Sequence, residues 1–221
     1  MKEVQFTGES FILDPSGLLI WPAQKTAIVA DLHLEKASFF ALHGQMLPPQ
    51  DSLETLSKLL KSLEFSGCDT LILLGDNFHD GGGFDRLPAL ARALWDRLVH
   101  AYGLIWATGN HDGDFVPDGV EVCDVLEMGG LTFRHEAEQN ADKEISGHYH
   151  PKASIRNRGR KTSRPCFAVS DKRLILPSFG CLTGGLNVLS APIRALIPDA
   201  FTAHLLGEGR LYTVPSNRLV L

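Results

Sequence analysis

A short apolar run that ends at once in a polar, histidine-bearing turn recurs five times along this chain. Thr26–Ala30 (TAIVA) runs into Asp31-Leu-His33, and Thr70–Leu74 (TLILL) into Gly75-Asp76-Asn77-Phe78-His79-Asp80. Leu104–Thr108 (LIWAT) runs into Gly109-Asn110-His111-Asp112, Leu131–Arg134 (LTFR) into His135-Glu136, and the shorter Glu144–Ser146 into Gly147-His148-Tyr149-His150-Pro151. Short β-rich runs bounded by Gly, Asp and Asn predict buried strands. Between some of them the period changes. Leu53, Leu56, Leu59, Leu60 and Leu63 recur at helical spacing with Asp51 or Ser52 as the expected cap. Leu87, Leu90, Leu94, Leu98 and Tyr102 mark a second helix. Strand–helix–strand alternation argues for an α/β core with a parallel or mixed sheet. Ligands of such sheets bind beyond the carboxyl ends of the strands, so the five turns are expected to converge.

After Pro151 the pattern becomes β-rich. Arg156–Arg164 reads as a basic, Gly-containing loop, and Cys166–Val169 with Arg173–Leu176 as a hairpin. A Gly-rich stretch follows, then expected strands near Leu186–Leu189 and Leu211–Val214. No linker, repeat or low-complexity segment divides the 221 residues, so a single domain over 1–221 is expected. With 44% apolar and 21% charged residues the chain is neither disordered, collagen-like nor a coiled coil. A net charge of −5 excludes a protein that grips nucleic acid with its whole surface, though not one with a local basic patch. Cys68, Cys123, Cys166 and Cys181 are widely spaced and read as reduced structural thiols. MKEVQFTGES has no basic-then-apolar leader pattern and no run approaches a membrane span, so a cytoplasmic location without membrane contact is expected.

The turns supply Asp31, His33, Asp76, Asn110, His111, His135, His148 and His150. Carboxylate, imidazole and amide oxygen form the donor set of Mn, Fe, Zn, Co and Ni, and the absence of a thiolate cluster argues against a structural zinc site. Residues two apart point to one side of an extended chain, so Asp31 with His33, and His148 with His150, can each reach one pocket. Asp76, a single carboxylate, can bridge two ions. A pair of ions suits in-line displacement at phosphorus above other tasks. His111, anchored beside Asn110, is placed to stabilise or protonate a leaving oxygen.

DLH, GDNFH, GNHD, a later lone His and GHYH, in this order and each behind an apolar run, resemble the calcineurin-like metallophosphoesterase superfamily. The resemblance implies two mixed β-sheets packed face to face with flanking helices, a four-layer α/β sandwich. It implies one ion held by Asp31, His33, Asp76 and His150, and a second by Asp76, Asn110, His135 and His148. His111 would be the catalytic histidine that binds no metal. Two divalent ions are implied, manganese foremost. GLLIWP (Gly17–Pro22), ADLHLEKASFFALHGQMLPPQDS (Ala30–Ser52), LGDNFHD, LTFRHE, ISGHYHP and LPSFGCLTGGLNV (Leu176–Val188) are similar to the bacterial ligase-associated DNA-damage-response (PdeM-type) group of that superfamily. That similarity implies a phosphodiester substrate, DNA among the candidates, and DNA ligase and helicase as operon partners. Asn77 and Ser178 depart from that group's commoner Ser and Ala, and neither is a ligand position. A phosphatase or nucleotide pyrophosphohydrolase of small substrates, and a non-catalytic repair scaffold, are the alternative readings. The metal, the strand preference and the oligomeric state are not legible.

Other polar positions carry two readings each. His79 and Asp80 either orient a ligand or are hydrogen-bonded turn residues. Asp112 is expected to cap a turn, and His43, His100 and His204 to have no catalytic part. Glu35 and Lys36 are expected on a solvated face. Arg156, Arg158, Arg160, Lys161 and Arg164 are either solvated charge or a phosphate-positioning loop. The Thr183-Gly184-Gly185 turn either brings backbone N–H groups to the site or bends the chain.

Overall fold

A computed structural model describes residues 1–113 and 117–221, and all five apolar runs are strands in it. The first half of the chain builds one sheet. β1 (Lys2–Phe6), β2 (Glu9–Leu13), β3 (Leu19–Trp21) and β4 (Thr26–Val29) form an antiparallel meander. β5 (Thr70–Leu74), β6 (Gly103–Ala107) and β7 (Glu121–Cys123) then add in parallel. The crossover from β4 to β5 carries α1 (Lys36–Leu42) and α2 (Asp51–Glu64), and that from β5 to β6 carries α3 (Gly83–Arg86) and α4 (Ala89–Ala101).

The second half builds the other sheet from β8 (Val125–Met128), β9 (Leu131–Arg134), β10 (Glu144–Ser146), β11 (Lys152–Asn157), β12 (Arg160–Val169), β13 (Arg173–Ile175), β14 (Thr202–Leu206) and β15 (Leu211–Pro215). Its order is β15-β14-β12-β13-β10-β9-β8, with β11 pairing β12 alone, and α5 (Ala191–Leu196) lies between β13 and β14 in sequence. Among the described residues no helix is long and apolar enough to cross a membrane.

Period-two alternation divides the apolar residues between layers. Ala27, Val29, Leu71, Leu73, Leu104 and Trp106 face α2 and α4, which present Leu56, Leu59, Leu63, Trp95 and Leu98. Ile28, Ile72, Leu74 and Ala107 turn the other way, onto Phe133, Ile145, Phe167 and Leu174 of the second sheet. Cys166, Ala168, Ile175 and Ala203 are covered on the far side by Ile193 and Leu196 of α5 and by Val188. The result is the expected order of helices, sheet, sheet and helix. Each large apolar side chain buried here stabilises the stack by about 1.5–3 kcal/mol.

Register is what positions the site. Val29 lies beside Leu73, and Leu73 beside Trp106, so the turns after β4, β5 and β6 begin nearly level. Ser146 lies beside both Arg134 and Ile175, which levels the turns after β9, β10 and β13. The isolated bridge Ala30–Ser178 ties the two sets together across the sheets.

Several expectations are corrected. Arg156–Arg164 is not a loop but most of a β-hairpin, in which Arg156 pairs Lys161 and Asn157 pairs Arg160. The 186–189 segment forms no strand; the single bridge Lys152–Asn187 holds it, and the Asn187 amide donates to the Val220 carbonyl. Gln50, rather than Asp51 or Ser52, occupies the N-cap of α2. Both side chains are spent elsewhere: Asp51 accepts the Ala37 N–H at 2.9 Å and Ser52 the Glu35 N–H at 2.7 Å. Glu35 is accordingly buried rather than solvated, and Lys36 half-buried. Strands β1 to β3 had no histidine turn to mark them.

At the start of β10, Glu144 is wholly buried and accepts from the Arg173 guanidinium at 3.0 Å, while Arg134 Nε lies 3.3 Å from its other oxygen. Removing one partner of a buried pair strands the other charge and costs about 3–5 kcal/mol. Glu144→Ala should lose stability of that order in chemical denaturation, and Glu144→Gln, which keeps an acceptor for Arg173, clearly less. Equal losses would show that volume, not charge, is what Glu144 supplies.

Candidate metal centre

The five histidine turns meet at one edge of the molecule, beyond the carboxyl ends of the parallel strands of both sheets. The route out of each strand differs from the extended one the residue spacing suggests. Asp31 (φ 57°), His33 (45°), Asp76 (51°), His148 (70°) and His150 (43°) all have left-handed backbone. Such conformations cost non-glycine residues about 1–3 kcal/mol each and persist only where surroundings over-determine them. Here hydrogen bonds across the turns do so. Asp31 N–H donates to Gly75 O at 3.1 Å and His33 N–H to Asp76 O at 2.8 Å. His148 N–H donates to the Asp31 carboxylate at 3.0 Å, and His111 N–H to Asp76 Oδ1 at 2.9 Å.

The side chains form two groups. Asp31, His33 and His150 make one, with His150 Nε2 3.3 Å from Asp31 Oδ1 and 3.2 Å from His33 Nε2. Asp76, His135 and His148 make the other, with His148 Nδ1 3.0 Å from His135 Nε2. Asn110 Oδ1 joins it, 3.1 Å from His135 Nε2. Asp76 Oδ2 lies 3.3 Å from His135 Nε2 and 3.7 Å from His33 Nε2, between the groups. All seven residues expected as ligands are thus brought together. His111 stands at the exposed rim beside them, its ring 5.3 Å from that of His33.

The donor set fits divalent cations. Asp31 and Asp76 are buried, and among the described residues neither makes an ion pair with Lys or Arg; their charged neighbours are imidazoles. Two imidazole nitrogens at 3.0–3.2 Å can face each other only with a proton or a cation between their lone pairs. Burial opposes a charged His135, but its hydrogen bond to Asp76 and the Asp31 carboxylate outweigh burial and push it up to about 9. His33 goes the other way: burial, only partly offset by Asp76, holds it down to about 2. Burial works against an ionised Asp76 too, yet His135 and the His111 N–H bring it down to about 2. Asp76 therefore stays ionised and His33 neutral, the forms that metal coordination requires. His135 Nδ1 bonds Leu74 O at 2.9 Å, which turns Nε2 inward.

The remaining polar positions separate into supports and bystanders. His79 holds no place in either group. Its Nδ1 is 3.4 Å from His33 Nδ1, its ring stacks on His111 at 5.0 Å, and its carbonyl accepts from His111 Nδ1 at 3.1 Å. It therefore orients both rings. Asp80 pairs with Arg86. Asp112 caps the turns, taking the N–H groups of Asn77, Phe78 and Gly109 and the Trp106 indole. His43 and His100 are exposed and bond carbonyls of their own helices, and His204 is buried against Thr213. Gly185 packs where a side chain would meet His150 O at 2.2 Å, so that turn closes on the site's backbone. Sequence reasoning missed Phe39 and Phe40, whose rings lie 4.9 and 5.6 Å from that of His79, and the Glu35–Ser52 bond at 2.7 Å that clamps the start of α1 to α2. The left-handed Glu35 (φ 61°) has no local sequence signal.

A family model described as calcineurin-like phosphoesterase matches residues 24–199. The crystal structure of Pseudomonas putida nuclease MPE is similar at 24% identity, covering 96% of this chain and 99% of that one, with a TM-score of 0.73. The Yfce phosphoesterase from E. coli is similar at 15% identity over 86% of this chain and 97% of its own, with a TM-score of 0.41. No curated protein sequence matches.

Two glycines allow the groups to close. Gly75 has φ +70°, and a Cβ there would lie 2.5 Å from the His135 ring; a Cβ at Gly109 would lie 2.2 Å from Asp76 N and 2.4 Å from Asp76 Oδ1. Gly109→Ala should cost about 1–3 kcal/mol of stability and displace Asp76. Gly184→Ala, with open space around it, should cost little. Urea unfolding together with manganese titration checks this, and wild-type affinity for two ions in Gly109→Ala would contradict it.

Proposed function

Because the chain belongs to the calcineurin-like phosphoesterase family, a family of metal-dependent hydrolases of phosphate esters, we propose that it cleaves phosphodiesters, with DNA as the substrate class and manganese as the metal. The observation that carries the reading is the pair of adjacent ligand groups with Asp76 Oδ2 between them. Asp31, His33, Asp76 and His150 would hold one ion, and Asp76, Asn110, His135 and His148 the other. Two such ions, when bound, supply positive charge to the non-bridging phosphoryl oxygens and lower the pKa of water.

The chain's own residues do the rest. Hydrogen bonds from His148 and His111 N–H fix the two carboxylates before substrate arrives, so little reorganisation is left for the reaction. His111 donates Nδ1–H to the His79 carbonyl, and when the ring is an imidazolium its second proton, on Nε2 at the rim, is the one passed to the leaving oxygen. The His79 ring stacked on it fixes the plane of the imidazole.

A cavity of about 350 Å³ opens beside His148 and His150, walled by Tyr149, Leu186 and Pro192. This half-apolar wall gives a second substituent on the phosphate somewhere to rest, which favours a diester over a monoester. Support for DNA comes from the fold shared with a Pseudomonas putida nuclease and from the resemblance to the ligase-associated repair group. That resemblance is what supports a role in DNA repair beside a ligase and a helicase.

The test is turnover of bis-p-nitrophenyl phosphate against p-nitrophenyl phosphate by manganese-loaded protein. A clear preference for the diester is expected, and a preference for the monoester would move the small-substrate phosphatase reading ahead. Asp76→Ala should abolish turnover and weaken both ions, while Asp31→Ala should chiefly empty one position; metal analysis finding two ions in Asp76→Ala would refute the shared carboxylate. His111→Ala should retain metal and lose about 10²–10⁴-fold in rate, less for a leaving group that needs no proton. Equal losses for good and poor leaving groups would count against proton donation.

A further inference from the structure

We propose that the β11–β12 hairpin is a binding surface for the phosphate backbone of a nucleic-acid strand whose scissile phosphate lies in the metal centre, an inference that rests on the phosphodiesterase reading above. Topology places the hairpin. β12 runs antiparallel to β13, with Ala168 beside Ile175. The carboxyl end of β13 is the edge where the histidine turns gather, since Ser178 bridges Ala30, the neighbour of Asp31. Going back from Ala168 to Arg160 therefore leads past that edge, and from the Lys152–Pro165 pair to the Asn157–Arg160 pair, at about 3.3 Å per residue, the hairpin runs roughly 15 Å beyond it. Its other strand begins two residues after the ligand His150.

Its charge is uncompensated. Between Glu144 and Asp171 there is no Asp or Glu, whereas Lys152, Arg156, Arg158, Arg160, Lys161 and Arg164 all fall there. The last five are exposed, and among the described residues none of them makes an ion pair. Elsewhere on the surface, cations do find acids: Arg97 pairs Glu64 and Lys172 pairs Asp142.

Local stability runs against this arrangement. Arg156 and Lys161 are directly opposite, so two like charges share one face of the hairpin. Arg158 and Gly159 form the turn with φ 48° and 79°, a pattern that suits Asn-Gly and strains arginine. A segment that keeps repelling cations and a left-handed arginine at its tip, in a chain of net charge −5, is suited to an external polyanion. The adjoining phosphoester site selects which one. A strand with one phosphate between the ligand groups must carry its flanking phosphates over the rim from which the hairpin projects.

The test is a variant with Arg156→Thr, Arg158→Asn, Arg160→Thr and Lys161→Thr, which retains strand and turn preferences and should melt no lower than wild type. Affinity for a labelled phosphorothioate single strand, read by anisotropy on manganese-loaded protein across a salt series, should fall about tenfold or more at low salt. The slope of log affinity against log salt should flatten by about 0.7 for each phosphate that the variant no longer neutralises. Turnover of bis-p-nitrophenyl phosphate should be unchanged, because that diester is too small to reach the hairpin. An unchanged slope would overturn the proposal, as would a wild type with no strand affinity at low salt. Failure of the phosphodiesterase reading appears separately, as wild-type protein that turns over no small diester whatever the binding result.

Discussion

Two carboxyl groups, those of Asp31 and Asp76, buried where the two sheets meet and lacking any lysine or arginine in ion-pair contact among the described residues, are the constraint on which the rest of this structure depends. Removing a carboxylate from water costs several kcal/mol even after relaxation. An apolar core could not tolerate two of them a few ångströms apart. The surrounding residues answer that cost with donors of two kinds. Backbone N–H groups of His111 and His148 point at the carboxylates, and His33, His135, His148, His150 and Asn110 enclose the space between. The remaining deficit is one of positive charge, and divalent cations supply it in a metal-dependent phosphoesterase.

This arrangement is locally unfavourable and is held from a distance. Five of the site's residues have left-handed backbone, and the turn after β5 lies so close to His135 and to the turn after β6 that only glycine fits at Gly75 and Gly109. The compensation lies in the three apolar layers, in which Phe133, Ile145, Ile72 and Leu74 lock the sheets face to face. The register of the second sheet, tied by the buried Glu144–Arg173 pair, then leaves no freedom in where its turns begin. Stability resides in the layers and function at the edge they define.

Around this centre, further elements shape what the chain can present. Tyr149, Leu186 and Pro192 wall the side next to His150, Phe39 and Phe40 back His79, and the β11–β12 hairpin carries a run of cations past the rim. None of these groups sits within the ligand set, so substrate choice can vary while the chemistry stays constant.

Much of this was written in the chain one residue at a time. Strands Thr70–Leu74, Leu131–Arg134 and Glu144–Ser146 were legible to the residue because buried strands are short, continuous apolar runs, and the side chains that gather at the site were legible because each run ends in them. The α/β class followed from alternation. The sequence was misleading where a side chain's partner is remote. Asp51 and Ser52 look like caps but serve α1, and Glu35 looks solvated but is buried on Ser52. Arg156–Arg164 looks like a loop because its charges conceal a strand that pairs only with β11. The conformation of the ligand turns was hidden as well: left-handed backbone at Asp31 or His150 is imposed by hydrogen bonds from segments far along the chain. Local pattern determines which residues can be strand, helix or ligand, because propensity and chemistry are local. Only the tertiary structure decides which oxygen of Asp76 faces both groups, which ring of a histidine pair carries charge and where the cations project, because these depend on distances between segments that the order of residues does not contain.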